Sequence, residues 1–123
     1  MIALEAATEH PEIFGKALIE SPSLTLANNT GLNRFLAKNT LPARTWLAVG
    51  KREFGGGADV AEKNAAYIAA ADQLGAKVTG VRLGSDERAG AYFADPEGQH
   101  NEASWAKHFG PALKFLFPAK SSR

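Results

Sequence analysis

"ARTWLAVG", residues 43 to 50, is the stretch predicted to form the central strand of the fold. It combines β-branched, aromatic and small apolar residues and ends in glycine, a pattern typical of a buried strand. Two further apolar runs predict strands, "ALIES" at residues 17 to 21 and "KVTGVRLG" at residues 77 to 84. We therefore expect a sheet of three strands with residues 43 to 50 at its centre.

Helical patterns alternate with these strands. "IALEAATE", residues 2 to 9, consists of good helix formers and stops just before His10-Pro11. A second helix is predicted over residues 31 to 38. A third helical period begins at Asp59, a suitable N-cap, and Gly75 is a suitable C-terminal stop.

The last segment of the chain also has helical periodicity. A kink or break is expected in it at Gly110-Pro111, because proline cannot donate the backbone hydrogen bond of a helix interior. Its apolar residues are predicted to share one face, and they are Trp105, Phe109, Ala112, Leu113 and Leu116.

The alternation of helices and strands predicts the α/β class, with a small parallel β-sheet and flanking helices. At 123 residues, positions 1 to 123 are expected to form a single domain. Three strands leave at least one sheet edge without a partner. We expect that edge to be covered by a second copy of the chain or by a complementing chain.

Composition excludes several function classes. Hydrophobic residues make up 45% and charged residues 22%, the formal net charge is +1, and no basic stripe suggests nucleic-acid binding. There are no cysteines, hence no disulfide and no thiolate ligand or nucleophile. No apolar run approaches a membrane span and no signal-peptide pattern opens the sequence, so a cytoplasmic protein without membrane partners is expected. The three histidines lack metal-ligand spacing, and no metal or cofactor is predicted.

The candidate chemistry lies in the loops that follow the strands, because ligands of open α/β sheets bind at the carboxyl ends of the strands. Glu53 and Asp59 lie in the loop after the central strand, and His100 lies before the last helix. An acid and a histidine in adjacent loops have the arrangement of a general base and its orienting group. The alternative is that His100 is an ordinary solvated residue at a helix start.

Other motifs are interpreted as structural. The run "GGG" at 55 to 57 is a turn rather than a phosphate loop, because no Lys-Ser/Thr pair follows it. His10 is expected to be structural and His108 to have a partly buried polar role. Residues 85 to 99 are predicted to be a polar loop in which Tyr92 and Phe93 either line a pocket or pack over the sheet edge.

Three blocks of the sequence carry a resemblance to a known family. Residues 1 to 24, "MIALEAATEHPEIFGKALIESPSL", resemble the stretch after the nucleophile elbow in serine esterases of the α/β-hydrolase superfamily, in the group that includes enterochelin esterases. "WLAVGKRE" at 46 to 53, with Asn64 beyond it, resembles the family's next strand and helix. Residues 98 to 117, "GQHNEASWAKHFGPALKFLF", resemble its terminal block, in which histidine is followed by tryptophan.

The resemblance implies a function and a division of roles. The chain would correspond to the C-terminal half of a carboxylic-ester hydrolase that acts on a small-molecule ester without a cofactor. His100 falls at the position of the catalytic base and Glu53 at that of the triad acid, with Asp59 as the alternative acid. Met1 falls just past the nucleophile, so the serine elbow and part of the oxyanion hole are expected outside this sequence.

Three hypotheses follow for the nucleophile. In the first, the chain is part of a truncated esterase or works with another chain that supplies the elbow. In the second, it is a minimal esterase that uses a local serine at position 21, 23 or 85. Ser104 is a weaker candidate, because it lies a helix turn away from His100 on the same element. In the third, the chain is a non-catalytic α/β module that oligomerises or binds a partner through its open sheet edge.

Overall fold

The computed structural model describes residues 2–37, 41–42, 44–80, 82–83 and 87–119. Within these residues, four α-helices and five strands follow one another, with a short 3₁₀ turn at Ala58–Val60 before the third helix. The helices are α1 (Ile2–Glu9), α2 (Thr30–Ala37), α3 (Ala61–Thr79) and α4 (Glu102–Leu116), and the strands are β1 (Lys16–Glu20), β2 (Arg44–Gly50), β3 (Arg82–Leu83), β4 (Glu87–Arg88) and β5 (Gly90–Asp95).

The main sheet has three parallel strands in the order β1-β2-β5. Ile19 is opposite Leu47 in one pair, and Leu47 is opposite Tyr92 in the other. β3 and β4 form a separate antiparallel pair. The predicted α/β class, with a small parallel sheet and flanking helices, is confirmed.

The central strand is buried on both faces of the sheet. Leu47, Ala48 and Val49 are fully buried, as expected for a strand with neighbours on each side and helices above and below. One face packs against α1, α2 and α3, and this side of the core is formed by Leu4, Ala7, Ala17, Ile19, Leu32, Phe35, Leu47, Val49, Ala70, Ala71, Leu74 and Val78. α4 packs on β1 and β2, and the ring centroids of Trp46 and Phe115 lie 5.9 Å apart.

The third strand differs from the prediction. Residues 77 to 79 continue α3, and the sheet strand is β5, within the stretch predicted to be a polar loop. Gly75 is buried inside α3 rather than ending it. A Cβ at Gly75 would lie 2.4 Å from Cδ1 of Tyr92, so this glycine allows the helix to pack closely on β5. Tyr92 and Phe93 are therefore strand residues and not loop residues.

α4 is a single helix that contains Pro111, so the predicted break is absent. Its buried residues are Ser104, His108, Ala112 and Leu116, whereas Phe109 and Leu113 are exposed. The apolar periodicity is therefore a poor guide to the inward face, because that face carries two polar side chains. His108 pairs with acids that end β1 and β5, and the Ser104 hydroxyl accepts the N–H of Gln99 in the preceding loop.

β1 and β5 are the two edge strands of the main sheet. In the part of the chain that the structure describes, no helix is long and apolar enough to cross a membrane.

Candidate functional site

Two loops meet at the carboxyl ends of β2 and β5. The backbone N–H of Lys51 donates to Asp95 O at 2.8 Å, that of Arg52 to Gly98 O at 2.9 Å, and that of His100 to Glu53 O at 3.2 Å. The approach requires glycine at position 50, since a Cβ there would lie 2.2 Å from Gly98 O. These contacts fix the loop that carries His100 against the loop that carries Glu53.

His100 and Glu53 form a direct side-chain pair. Nδ1 of His100 lies 2.5 Å from Oε1 of Glu53. The Glu53 side chain is 2% exposed, whereas that of His100 is 54% exposed. A neutral imidazole that donates Nδ1–H to this carboxylate carries its lone pair on Nε2, the nitrogen that a general base uses.

The second carboxylate oxygen of Glu53 is also engaged. Oε2 accepts the backbone N–H of Gly50 at 3.2 Å and the hydroxyl of Ser21 at 3.1 Å. Three donors therefore surround one buried carboxylate, which compensates for its removal from water. Glu53 is held in a fixed orientation toward His100.

Ser21 connects this pair to α4. Its Oγ accepts the indole N–H of Trp105 at 3.1 Å while donating to Glu53. The Trp105 ring lies at 85° to the His100 ring, with centroids 5.1 Å apart. Ser21 has a φ of 43°, in the left-handed region that residues other than glycine rarely adopt. A strained residue at the end of β1 thus positions its hydroxyl between the acid and the tryptophan.

A cavity of about 100 Å³ opens beside this pair. Pro22 and Tyr67 contribute to its walls, and the Tyr67 hydroxyl donates to Pro22 O at 3.0 Å. Burial, with the nearby charge of Glu53, raises the pKa of Tyr67 well above its usual value, so the hydroxyl stays protonated as a donor. The residues around the cavity are Ser21, Pro22, Ser23, Thr25, Leu26, Glu53, Phe54, Tyr67 and His100.

The other site residues predicted from the sequence have different surroundings. Asp59, the alternative acid, is exposed in the 3₁₀ turn and is not the N-cap of α3, which is Val60. Ser104 is buried and its hydroxyl accepts the N–H of Gln99. Ser23 lines the cavity, and Ser85 lies outside the described residues. Among the residues that the structure describes, no hydroxyl is hydrogen-bonded to His100.

A second histidine cluster lies on the α4 side of the sheet. His108, 4% exposed, places Nδ1 3.1 Å from Oε2 of Glu20 and Nε2 3.2 Å from Oδ2 of Asp95. The two acids end β1 and β5, the two edge strands, and α4 carries His108 across the sheet between them. His108 was expected to have a partly buried polar role; the polar role is confirmed, and the side chain is more fully buried than expected.

The two acids of this cluster respond differently to their surroundings. Burial raises the pKa of Glu20 above its ordinary value, although the hydrogen bond and charge of His108 oppose it. Burial also acts to raise the pKa of Asp95, but hydrogen bonds from the Glu97 N–H and from His108 outweigh it and leave that pKa lowered. In the described part of the chain no group of His, Cys, Asp or Glu side chains is arranged to hold a metal ion.

Sequence reasoning missed the role of Trp105 and the cluster around His108. Trp105 was assigned to the apolar face of α4, and its indole N–H bond to Ser21 joins residues 84 positions apart. The only available signals were the spacing of His100 and Trp105 and the acids that end the strands, and neither specifies a hydrogen bond.

Comparisons of this chain with protein-family models, with curated proteins and with solved structures found no match. The esterase relationship therefore stays a prediction from the sequence blocks, and the geometry around His100 is the basis for the functional proposal.

Proposed function

We propose that this chain provides the histidine and acid of a serine-type carboxylic-ester hydrolase. The observation that carries the proposal is the 2.5 Å contact between a half-exposed His100 and a buried Glu53 beside a cavity. In this role Glu53 holds Nδ1–H and stabilises the imidazolium that forms when Nε2 accepts a proton.

The reaction requires a hydroxyl nucleophile, and no hydroxyl among the described residues is hydrogen-bonded to His100. Ser21 is unsuitable, because its Oγ is buried between Glu53 and Trp105. We propose that a serine comes from a complementing chain or from a longer form of the same polypeptide. His100 would take the hydroxyl proton as the oxygen attacks the ester carbon, and would return it to the departing alcohol. Water would then release the acyl group by the same proton path.

The open edge of β1 supports the idea of a complementing partner. Ser21 N–H donates to Ala48 O and Gly15 O accepts from Arg44 N–H, so these backbone groups face β2. The alternation of a strand then directs the backbone groups of Lys16, Leu18 and Glu20 to the open side. A strand added here in parallel would end beside Ser21, close to the cavity that His100 lines.

Exposed apolar residues on and just after α4 lie near that edge. Phe109, Leu113 and Phe117 are exposed and recur at a spacing of four residues. Nζ of Lys16, the first residue of β1, lies 4.3 Å from the centroid of the Phe117 ring. The same surface supports the second candidate function, a non-catalytic module that associates through β1. A cytoplasmic location, predicted from the sequence, belongs to both proposals.

Fluorophosphonate labelling in cells that naturally produce the chain tests the first proposal. A tagged form should be recovered with a labelled serine, in a longer form of the chain or in a partner held to it. Labelling should be lost in His100→Ala and kept in His10→Ala, since the His10 side chain is exposed and, among the residues that the structure describes, pairs with Glu12 alone. The absence of a labelled serine in the wild type, or labelling that does not depend on His100, would contradict the esterase proposal.

The second candidate predicts self-association without a labelled serine. Leu18→Pro removes one outward N–H of β1 and leaves the ladder with β2 intact, whereas Ile19→Pro interrupts that ladder. Sedimentation should show an oligomer that Leu18→Pro disrupts while circular dichroism stays native. A monomeric wild-type chain would exclude self-association through this edge.

A further inference from the structure

A second cavity lies next to the one beside His100. This second cavity, of about 270 Å³, shares Thr25 and Phe54 with the first and has Lys63 and Ala66 as its other walls. Because Thr25 and Phe54 line both, the two cavities are neighbours, with His100 in the first and Lys63 in the second, and we call the pair the groove.

Two large apolar side chains lie along this groove at the surface. Leu26 is 67% exposed and Phe54 is 46% exposed. The N–H of Phe54 donates to Oδ1 of Asn64 at 3.0 Å, and Nδ2 of Asn64 donates to Gly55 O at 2.9 Å. The Phe54 ring also packs edge-on against Tyr67, with centroids 5.9 Å apart. Phe54 is therefore held in place as a wall.

Leu26 is presented by an unusual backbone. The next three residues, Ala27, Asn28 and Asn29, have φ angles of 48°, 53° and 62°. The left-handed region costs a residue such as alanine about 1 kcal/mol or more and asparagine less, and such strain concentrates at ligand-binding segments. The strain favours a binding role for the turn that carries Leu26.

The far end of the groove carries a positive charge. Lys63 is exposed, and it has no ion-pair partner among the residues that the structure describes. Glu53, the acidic residue among those that line the groove, is buried and bonded to His100. The groove thus combines an apolar middle with a cationic end, which is complementary to an apolar chain that ends in an anion.

We propose that this groove binds the acyl part of an ester that ends in a carboxylate. The chain would lie between Leu26 and Phe54, and the carboxylate would pair with Lys63. That the ligand is an ester rests on the function proposed above, but binding requires no nucleophile and can be tested on the chain alone.

The test compares monomethyl glutarate with methyl pentanoate, which has a methyl group in place of the carboxylate. Binding is followed by amide chemical shifts in NMR titrations of the wild type, Lys63→Gln, Phe54→Ala and Lys114→Gln. An exposed ion pair should favour the glutarate ester by about two- to fivefold in affinity. Lys63→Gln should abolish this preference, and Lys114→Gln, an exposed α4 control, should keep it. Phe54→Ala should weaken both ligands.

Salt gives an independent readout, because the preference should disappear near about 1 M sodium chloride, where the Debye length is about 3 Å. Equal affinity for the two esters, a preference that survives in Lys63→Gln, or shifts that map away from Thr25, Phe54 and Lys63 would overturn the proposal. Selective binding with no serine labelling in cells would leave the groove supported and the esterase proposal rejected. Serine labelling in cells without selective binding would support the esterase proposal and reject the groove proposal.

Discussion

His100, just before α4, and His108, in the middle of α4, both contact carboxylates, but they differ in burial and in the number of acids they contact. His100 bonds one acid through Nδ1 and is half exposed, whereas His108 is buried with an acid at each ring nitrogen. A histidine with both nitrogens occupied has no site left for a proton in transit. A free ring nitrogen that solvent can reach, rather than the nearness of a carboxylate, therefore distinguishes a candidate base from a structural cross-link.

The largest expected effect is on stability. His108→Ala would leave the carboxylates of Glu20 and Asp95 without their shared partner, and breaking a buried pair costs about 3 to 5 kcal/mol. His100→Ala removes the partner of Oε1 of Glu53, whose Oε2 keeps the donors Gly50 and Ser21, at a cost of about 1.5 to 3 kcal/mol. Urea denaturation of both variants measures the two losses in the free energy of unfolding. Equal losses would mean that His108 is no more important to stability than His100.

The pH dependence of stability is the next test. Because the pKa of Glu20 is raised on folding, the native state binds more protons than the unfolded state just above pH 4.5. The contribution of Glu20 is therefore fully present below the unfolded pKa and is lost as the pH rises through the folded pKa. Glu20→Gln should remove this loss. Melting curves between about pH 4 and 7 measure it, and an unchanged profile in the variant would count against the assignment.

The smallest expected effect concerns Ser21, which belongs only to the His100 site. Ser21→Ala and Ser21→Gly both remove the hydroxyl that links Glu53 to Trp105. Glycine also relieves the φ of 43°, so Ser21→Gly should be more stable than Ser21→Ala by about 1 kcal/mol. Thermal unfolding of the pair measures this difference. Identical stabilities would mean that the backbone strain at Ser21 is negligible.

The sequence predicted the pairing of loops better than the details of the third strand. The proximity of His100 and Glu53 could be predicted because the loops that follow parallel strands lie at the same end of the sheet. β5 was missed because its six residues lie in a glycine-rich polar stretch, and Gly75 resembled a helix stop although its role is to contact Tyr92. The bonds of Ser21, Trp105 and His108 depend on tertiary side-chain placement, which periodicity does not encode.

A role for His100 as a base requires that its Nε2 is free to accept a proton while Glu53 holds Nδ1. Nitrogen NMR of the histidine rings, at a pH where the imidazoles are neutral, tests it most directly. We expect His100 to be the Nδ1–H tautomer, with a strongly downfield Nδ1 proton that moves upfield in Glu53→Gln. An Nε2–H tautomer for His100, or an Nδ1 proton that does not respond to Glu53→Gln, would mean that Glu53 does not orient His100 as a base.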